Sequence, residues 1–350
     1  MTVMKRIAIL LGTIALLCCC AQRIENVPAD HPFIRIEGAR HITFRDGHAQ
    51  IDRIDTALFG PKDFRISPSV AATTSGVRIY FRTDSPHIIP LFERRPDTKW
   101  RESTWFYGIY CDGEFIGDIS GKNPVIEAPS PGMHEYSLVL PIMNAEYFCG
   151  LKLDAGARLK PSREEKGLIY FAIGDSISHG TGQTGHSSRI SYPFIVAENH
   201  GFRLYNLAVG ASQITPAIVE ELGGVKASVI TILWGYNDWN ATKGDLAEIS
   251  DRYTKLLEGL LEVQPEADIY CIMYGITKNE EPKENYGCTL AEVRAAETEI
   301  ARRFAATASG SHIKVIDGFP FITLEGLADG CHFKNEGAAI FGEQVSKQID

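Results

Sequence analysis

The rhythm of hydrophobic positions along the chain changes near residue 165. From about residue 30 to 160 they come in short alternating runs, such as IRIEG (34–38), VRIYFRT (77–83) and HEYSLVLPI (134–142), broken by turn formers. Alternation with a period of two marks strands with one buried face, and no stretch here keeps a helical period over three turns. Two longer runs, HITFRDGHAQID (41–52) and WFYGIYCDGEFIGDI (105–119), carry Asp-Gly between β-rich flanks. The pairs Asp46-Gly47 and Asp112-Gly113 predict hairpin turns, because such turns need residues that tolerate positive φ. Many short strands with regular turns predict a β-sandwich or jelly roll over residues 25–160.

The run LKPSREEKG (159–167) is polar, charged and proline-containing, as linkers often are. Beyond it strands alternate with helices. Strands are expected at 168–173, 203–209, 229–234, 268–274 and 313–317, with helical stretches around 191–200, 214–223, 245–263, 290–308 and 335–348. Five apolar strands, each followed by a helix, predict a parallel sheet covered on both faces, a three-layer α/β/α domain over residues 166–350. Ligand sites in such sheets lie at the carboxyl ends of the strands.

The beginning of the chain reads as an address. Lys5 and Arg6 precede the apolar run Ile7–Leu17, too short to span a bilayer but suited to the core of a signal peptide over residues 1–20. The run ends in Leu16-Leu17-Cys18-Cys19-Cys20, which resembles a bacterial lipoprotein processing box, with Cys20 the candidate lipidated residue. A plain signal peptide is the alternative. Either reading makes the protein exported, to a bacterial periplasm or cell surface, and membrane association is expected only through the N-terminal lipid anchor.

Composition narrows the classes further. The 350 residues are 44% hydrophobic and 23% charged, with 35 Lys and Arg against 44 Asp and Glu for a net charge of −9. That is a globular composition with ample core, and no basic stretch is concentrated enough to suggest a nucleic-acid partner. Beyond the signal segment the cysteines are Cys111, Cys149, Cys271, Cys288 and Cys331, an odd number that matches neither a disulfide scaffold nor a zinc pattern. Cys111 and Cys149 form the one pair in the first half that an oxidising compartment would allow to bridge; buried free thiols are the simpler expectation.

Four spots at strand ends carry the candidate chemistry. The first strand of the α/β part runs into Gly174-Asp175-Ser176-Ile177, and a Ser at a strand-to-helix turn presents its hydroxyl at the sheet edge. The second ends in Leu207-Ala208-Val209-Gly210-Ala211, the third in Trp234-Gly235-Tyr236-Asn237-Asp238. After the last strand comes Asp329-Gly330-Cys331-His332. Singly each is ordinary, since Asp, Ser, Gly and Asn are also common cap and turn residues.

In order and placement, Ser, Gly, Asn and Asp-x-x-His resemble the block pattern of the SGNH (GDSL) hydrolase superfamily, over roughly residues 166–350. The resemblance implies a flavodoxin-like sheet and a serine esterase with a catalytic set of Ser176, His332 and Asp329. It also implies an oxyanion hole formed by the backbone N–H groups of Ser176 and Gly210 and the Asn237 side chain. Chemistry agrees: a serine hydroxyl is a poor nucleophile until a base takes its proton, and imidazole titrates near neutrality. The G-x-S-x-G elbow of α/β-hydrolases is absent. Such a set needs no cofactor and no metal, so none is expected.

Gly180-Thr181-Gly182-Gln183-Thr184-Gly185 fits a dinucleotide fingerprint, but seven residues separate it from the preceding strand and the second strand lacks the expected acid. The loop reads instead as a flexible lip beside Ser176, from which His179 or His186 touches substrate, unless both are merely exposed loop histidines. Trp234, Tyr236 and Trp239 bracket Asn237; aromatic faces at a site edge suit sugar rings, while the alternative is that they anchor the core. A β-sandwich before an SGNH domain resembles two-domain bacterial carbohydrate esterases. The expectation is therefore an exported esterase removing O-acyl, foremost O-acetyl, groups from carbohydrate. The alternatives are a lipid-directed acylhydrolase or thioesterase, and a glycan-binding lipoprotein without activity.

Overall fold

The computed structural model describes residues 24–58, 66–96, 98, 100–163 and 166–350. The signal segment, Cys20 included, lies outside the described residues.

Two antiparallel sheets face one another in the first half. One is ordered His41–Arg45, His48–Asp52, Glu146–Asp154, His87–Arg94, Ile126–Glu127, with Ile24–Val27 also on Glu146–Asp154. The other runs Leu159–Lys160, Arg78–Thr83, His134–Val139, Phe106–Cys111, Glu114–Ser120, with Arg35–Glu37 added on Arg78–Thr83. Both Asp-Gly pairs form the expected hairpins, with Asp46 and Asp112 at φ 50° and 51°. Ile51, Ile88, Phe92 and Phe148 from one sheet meet Ile79, Phe81, Tyr107 and Tyr136 from the other in a closed apolar core. Pro90 sits inside a strand, which is tolerated because the next strand pairs only as far as Ile88. The stretch read as a linker is structured at its start, where Leu159 and Lys160 pair with Thr83 and Arg82. The five cysteines are free thiols, Cys111 and Cys149 lying on different sheets.

The second half is a five-stranded parallel sheet ordered Arg203–Asn206, Ile169–Gly174, Val229–Leu233, Asp268–Met273, Ile313–Asp317. Helices Tyr192–His200, Leu246–Val263, Leu290–Ala305 and Asn335–Ser346 cover it. Asp245 caps the second of these and a reciprocal Thr289–Glu292 capping box opens the third. The stretch expected as a helix at 214–223 is a 3₁₀ turn, Pro216–Leu222. A short helix, Tyr236–Thr242, appears where only a turn was expected. In this strand order the chain reverses direction across the sheet after its first strand, so the crevice of the sheet opens at the carboxyl end of Ile169–Gly174, beside Ser176.

The halves are bound by buried polar contacts. Arg53 of the sandwich is fully buried; its Nε donates to the Thr73 carbonyl (2.6 Å), and its Nη1 to the carbonyls of Ala208 (2.7 Å) and Asn206 at the exit of the second parallel strand. Burial lowers its pKa to about 9. Glu221 accepts from the Asp55 amide and from His41.

Candidate active site

Ser176 begins the single-turn helix Ser176–His179 that follows the first parallel strand, and the Asp175 carboxylate caps it by accepting the Ile177 amide at 3.0 Å. The Ser176 hydroxyl lies 2.9 Å from Nε2 of His332. Nδ1 of His332 lies 2.7 Å from Oδ2 of Asp329. Oδ1 of Asp329 accepts the backbone amides of Cys331 and His332, each at 2.9 Å, a local turn that sets the carboxylate against the ring. Partial burial pushes the Asp329 pKa up, but those amides and the imidazole overcome it and bring it down to about 2. A carboxylate that stays ionised keeps the proton on Nδ1 and leaves Nε2 free to take one from the serine.

Asn237 stands in the first turn of the helix Tyr236–Thr242. Its Nδ2 donates to the Ser212 carbonyl at 2.9 Å and, at a long 3.3 Å, to Oδ2 of Asp175. Asp238 behind it accepts the Ile214 amide and a bond from Arg252, and so ties the second loop to the third. Asp175 is fully buried; burial first, then the nearby Asp238 charge, raises its pKa to about 7. Gly235 is required where it stands: at φ 120° a Cβ would come within 2.8 Å of the buried Glu297 carboxylate.

Several expected site residues are placed otherwise. His179 is fully buried and reaches no solvent. Its Nδ1 accepts the Gly210 amide at 2.9 Å and its Nε2 faces the Ile142 carbonyl and the Thr73 hydroxyl, so it does not touch substrate. The Gly210 amide, expected in the oxyanion hole, is therefore already spent within the protein. Trp234 and Trp239 are core anchors, 2% and 0% exposed, whose indole N–H groups donate to Ser212 Oγ and the Cys288 carbonyl. Of the three aromatic residues only Tyr236 lines the site, its hydroxyl accepting from Asn279 at 2.7 Å. His186 is tied to Asp118 of the sandwich at 2.7 Å.

The glycine-rich loop is pinned rather than loose. Gly185 donates to the Ser103 carbonyl, Thr184 and Asn335 exchange bonds, and Gln183 is buried. Gly182, at φ 98°, lies flat against His332, where a Cβ would come within 2.8 Å of the histidine Cβ and 2.6 Å of the Phe333 carbonyl.

Beside Ser176 a cleft of about 10 Å³ is lined by Tyr236, Tyr274, Thr277, Cys331 and Phe333. That is room for about one water-sized group. Cys331, Tyr274 and Phe333 as pocket walls carried no sequence signal beyond their neighbourhood to His332 and to a strand end. A larger hollow of about 500 Å³, between His41, Asp52, Ser69 and Arg95, contains none of the reactive groups.

Sheet order and this hydrogen-bonded set place a serine, a histidine and an aspartate together at the carboxyl edge of an α/β sheet. Residues 172–340 match the model of the GDSL-like lipase/acylhydrolase family. The fold of the whole described chain is similar to that of a salicylyl-acyltransferase, SsfX3, from a tetracycline biosynthetic pathway (21% identity, TM-score 0.79, 93% of this chain and 96% of that one). It is also similar to a family two carbohydrate esterase from Clostridium thermocellum in complex with cellohexaose (16%, TM-score 0.61, 81% and 96%). A third likeness is to the acetyl xylan esterase Est2A from the rumen bacterium Butyrivibrio proteoclasticus (11%, TM-score 0.62, 93% and 98%). Comparison of the sequence with curated proteins gives no match.

Proposed function

We propose that the protein is an exported serine esterase that removes O-acetyl groups from carbohydrate through an acyl-enzyme. The observation that carries this reading is the continuous hydrogen-bonded chain from Ser176 through His332 to Asp329. Nε2 of His332 takes the Ser176 proton as Oγ bonds to the ester carbonyl carbon. The tetrahedral oxyanion is met by the Ser176 amide and by the Asn237 hydrogen that otherwise points loosely at Asp175. His332 then returns its proton to the departing sugar hydroxyl, leaving acetyl on Ser176. Water, deprotonated by the same nitrogen, attacks the acyl-enzyme and releases acetate.

Two features support the finer substrate. The cleft beside Ser176 is narrow, about 10 Å³, which favours a small acyl tail. Carbohydrate as the alcohol component is supported by the fold likeness to a family two carbohydrate esterase and an acetyl xylan esterase. Export rests on the N-terminal segment, with lipidation at Cys20; mass spectrometry of the mature N-terminus tests it, and an intact Met1 would overturn it.

The deciding experiment is release of acetate from a panel of acetylated sugars beside esters of longer acids and thioesters, with Ser176→Ala as control. Acetate release by the wild type alone is expected. Preference for long acyl chains would replace this reading by the lipid-directed one, and a wild type inactive on the whole panel would leave a glycan-binding protein.

A further inference from the structure

We propose that His48, Glu93 and Cys149, on the outer face of the sandwich, form a binding site for a divalent cation of the zinc type that clasps three strands together. The site lies outside the serine machinery and does not depend on the esterase reading.

The three side chains come from three neighbouring strands, His48–Asp52, Glu146–Asp154 and His87–Arg94, with the cysteine on the middle one. Alternation fixes the face. Ala49, Phe92 and Phe148 are buried in the sandwich core, so their neighbours His48, Glu93 and Cys149 point away from it. Phe148 pairs with Phe92 and Gly150 with Leu91, which leaves Cys149 as the extra residue of a β-bulge, and bulges re-aim side chains. As a result an imidazole nitrogen, a carboxylate oxygen and the sulfur lie within 4.8 Å of one another. Zinc holds such ligands at about 2.0–2.3 Å, so these atoms need only small side-chain rotations to share one ion.

The donors are also free to bind. Among the described residues the His48 ring and the Glu93 carboxylate have no hydrogen-bond or ion-pair partner, and the Cys149 thiol donates only to the Tyr147 carbonyl, at 3.6 Å. Lys122 and Lys152 line the same hollow but make no ion pair with Glu93. Two other groups of His, Cys and carboxylate, around Cys111 and Cys331, differ here: His134 and His332 are each already held by an aspartate at 2.7 Å. Sulfur and imidazole together select a borderline-soft ion such as zinc over magnesium or calcium. A thiolate and a carboxylate balance its two charges, the thiol proton leaving to solvent as the sulfur binds. The ligands border a hollow of about 430 Å³, which leaves the fourth tetrahedral position to water. Bound there, the ion joins strands distant in sequence and stabilises the folded sandwich.

The test titrates Zn²⁺ alone into the untagged chain, first stripped of metal by a chelator, and follows binding by calorimetry. A parallel titration with Cd²⁺ reads the ultraviolet absorption of a cadmium–thiolate bond. One ion per chain, a raised Tm and an unchanged esterase rate are expected. His48→Gln, Glu93→Gln and Cys149→Ser are each expected to weaken zinc binding by more than about 10²-fold, a loss that even outer partners of a metal ligand can cause, and to abolish the gain in Tm. Glu93→Gln, exposed and nearly isosteric, keeps the fold and so separates loss of the site from loss of the protein. No zinc binding by the wild type, or binding that survives Glu93→Gln and Cys149→Ser, overturns the inference. Loss of esterase activity at one equivalent of zinc, with the cadmium–thiolate band retained in Cys149→Ser, places the ion at Cys331 and His332 and overturns it too.

Discussion

Oδ2 of Asp329 lies 2.7 Å from Nδ1 of His332, while its other oxygen is held by the backbone amides of Cys331 and His332. The three-residue spacing thus serves two ends: it anchors the carboxylate by the local turn and aims it at the ring. Asp329→Asn presents an amide to Nδ1 and favours the wrong tautomer. We expect kcat to fall by about 10³-fold with KM little changed, and His332→Ala and Ser176→Ala to fall further. Steady-state kinetics on an acetylated sugar checks the order; an Asp329→Asn enzyme as fast as wild type would reduce the set to a Ser–His pair.

Gly182 packs against His332 with positive φ. In Gly182→Val the added carbons displace the histidine or the Phe333 carbonyl, and a shift of the general base by about 1 Å costs about 10²-fold in kcat. Thermal unfolding measured alongside separates this from loss of the fold. Wild-type kcat in the variant would show that the loop yields without moving His332.

Tyr236 walls the acyl cleft, its hydroxyl held by Asn279. The wild type should prefer acetyl over butyryl esters by at least about 10-fold in kcat/KM, since the narrow cleft crowds added methylenes. Tyr236→Ala opens the cleft and should lower the ratio by about 10-fold, chiefly by improved butyryl turnover. An unchanged ratio would place the acyl group elsewhere.

Glu146 is buried in the sandwich, accepting from the Tyr107 hydroxyl. Burial, opposed only in part by that bond, raises its pKa to about 7. The folded protein then holds a proton that the unfolded chain gives up at a lower pH, so this group's contribution to stability falls as pH rises from the ordinary carboxylate range through about 7. The loss is about 3 kcal/mol at most, at 1.36 kcal/mol per pKa unit. Calorimetry at pH 5 and pH 8 should show wild type losing more stability across that interval than Glu146→Gln. Equal losses would mean that Glu146 titrates normally.

Much of the architecture was legible in the pattern of residues. Period-two alternation and Asp-Gly turns marked the sandwich hairpins, and the apolar runs of the parallel sheet lie within a few residues of where the structure has them. The central strand Glu146–Asp154 was less legible, because a register shift between Phe148 and Gly150 breaks its alternation. Tyr236–Thr242 is two turns long, with Tyr236 at the site and Trp239 in the core, too short a span for a helical period to betray it. At the site, Ser176, His332 and Asp329 come together as their order along the chain implied.

What the sequence determined by itself was the order of strands and helices and the identity of the reactive groups, because periodicity and residue chemistry are local properties. Only the tertiary structure decided which of the nearby groups are free to act. Trp234 and Trp239 look from sequence like a sugar platform, yet their indoles are buried and hydrogen-bonded inside the protein. His179 looks like a substrate contact three residues from the nucleophile, yet Thr73 and Ile142, more than thirty residues away along the chain, claim it. The physical reason is that a polar group has a limited number of hydrogen bonds to give, and partners distant in sequence spend them.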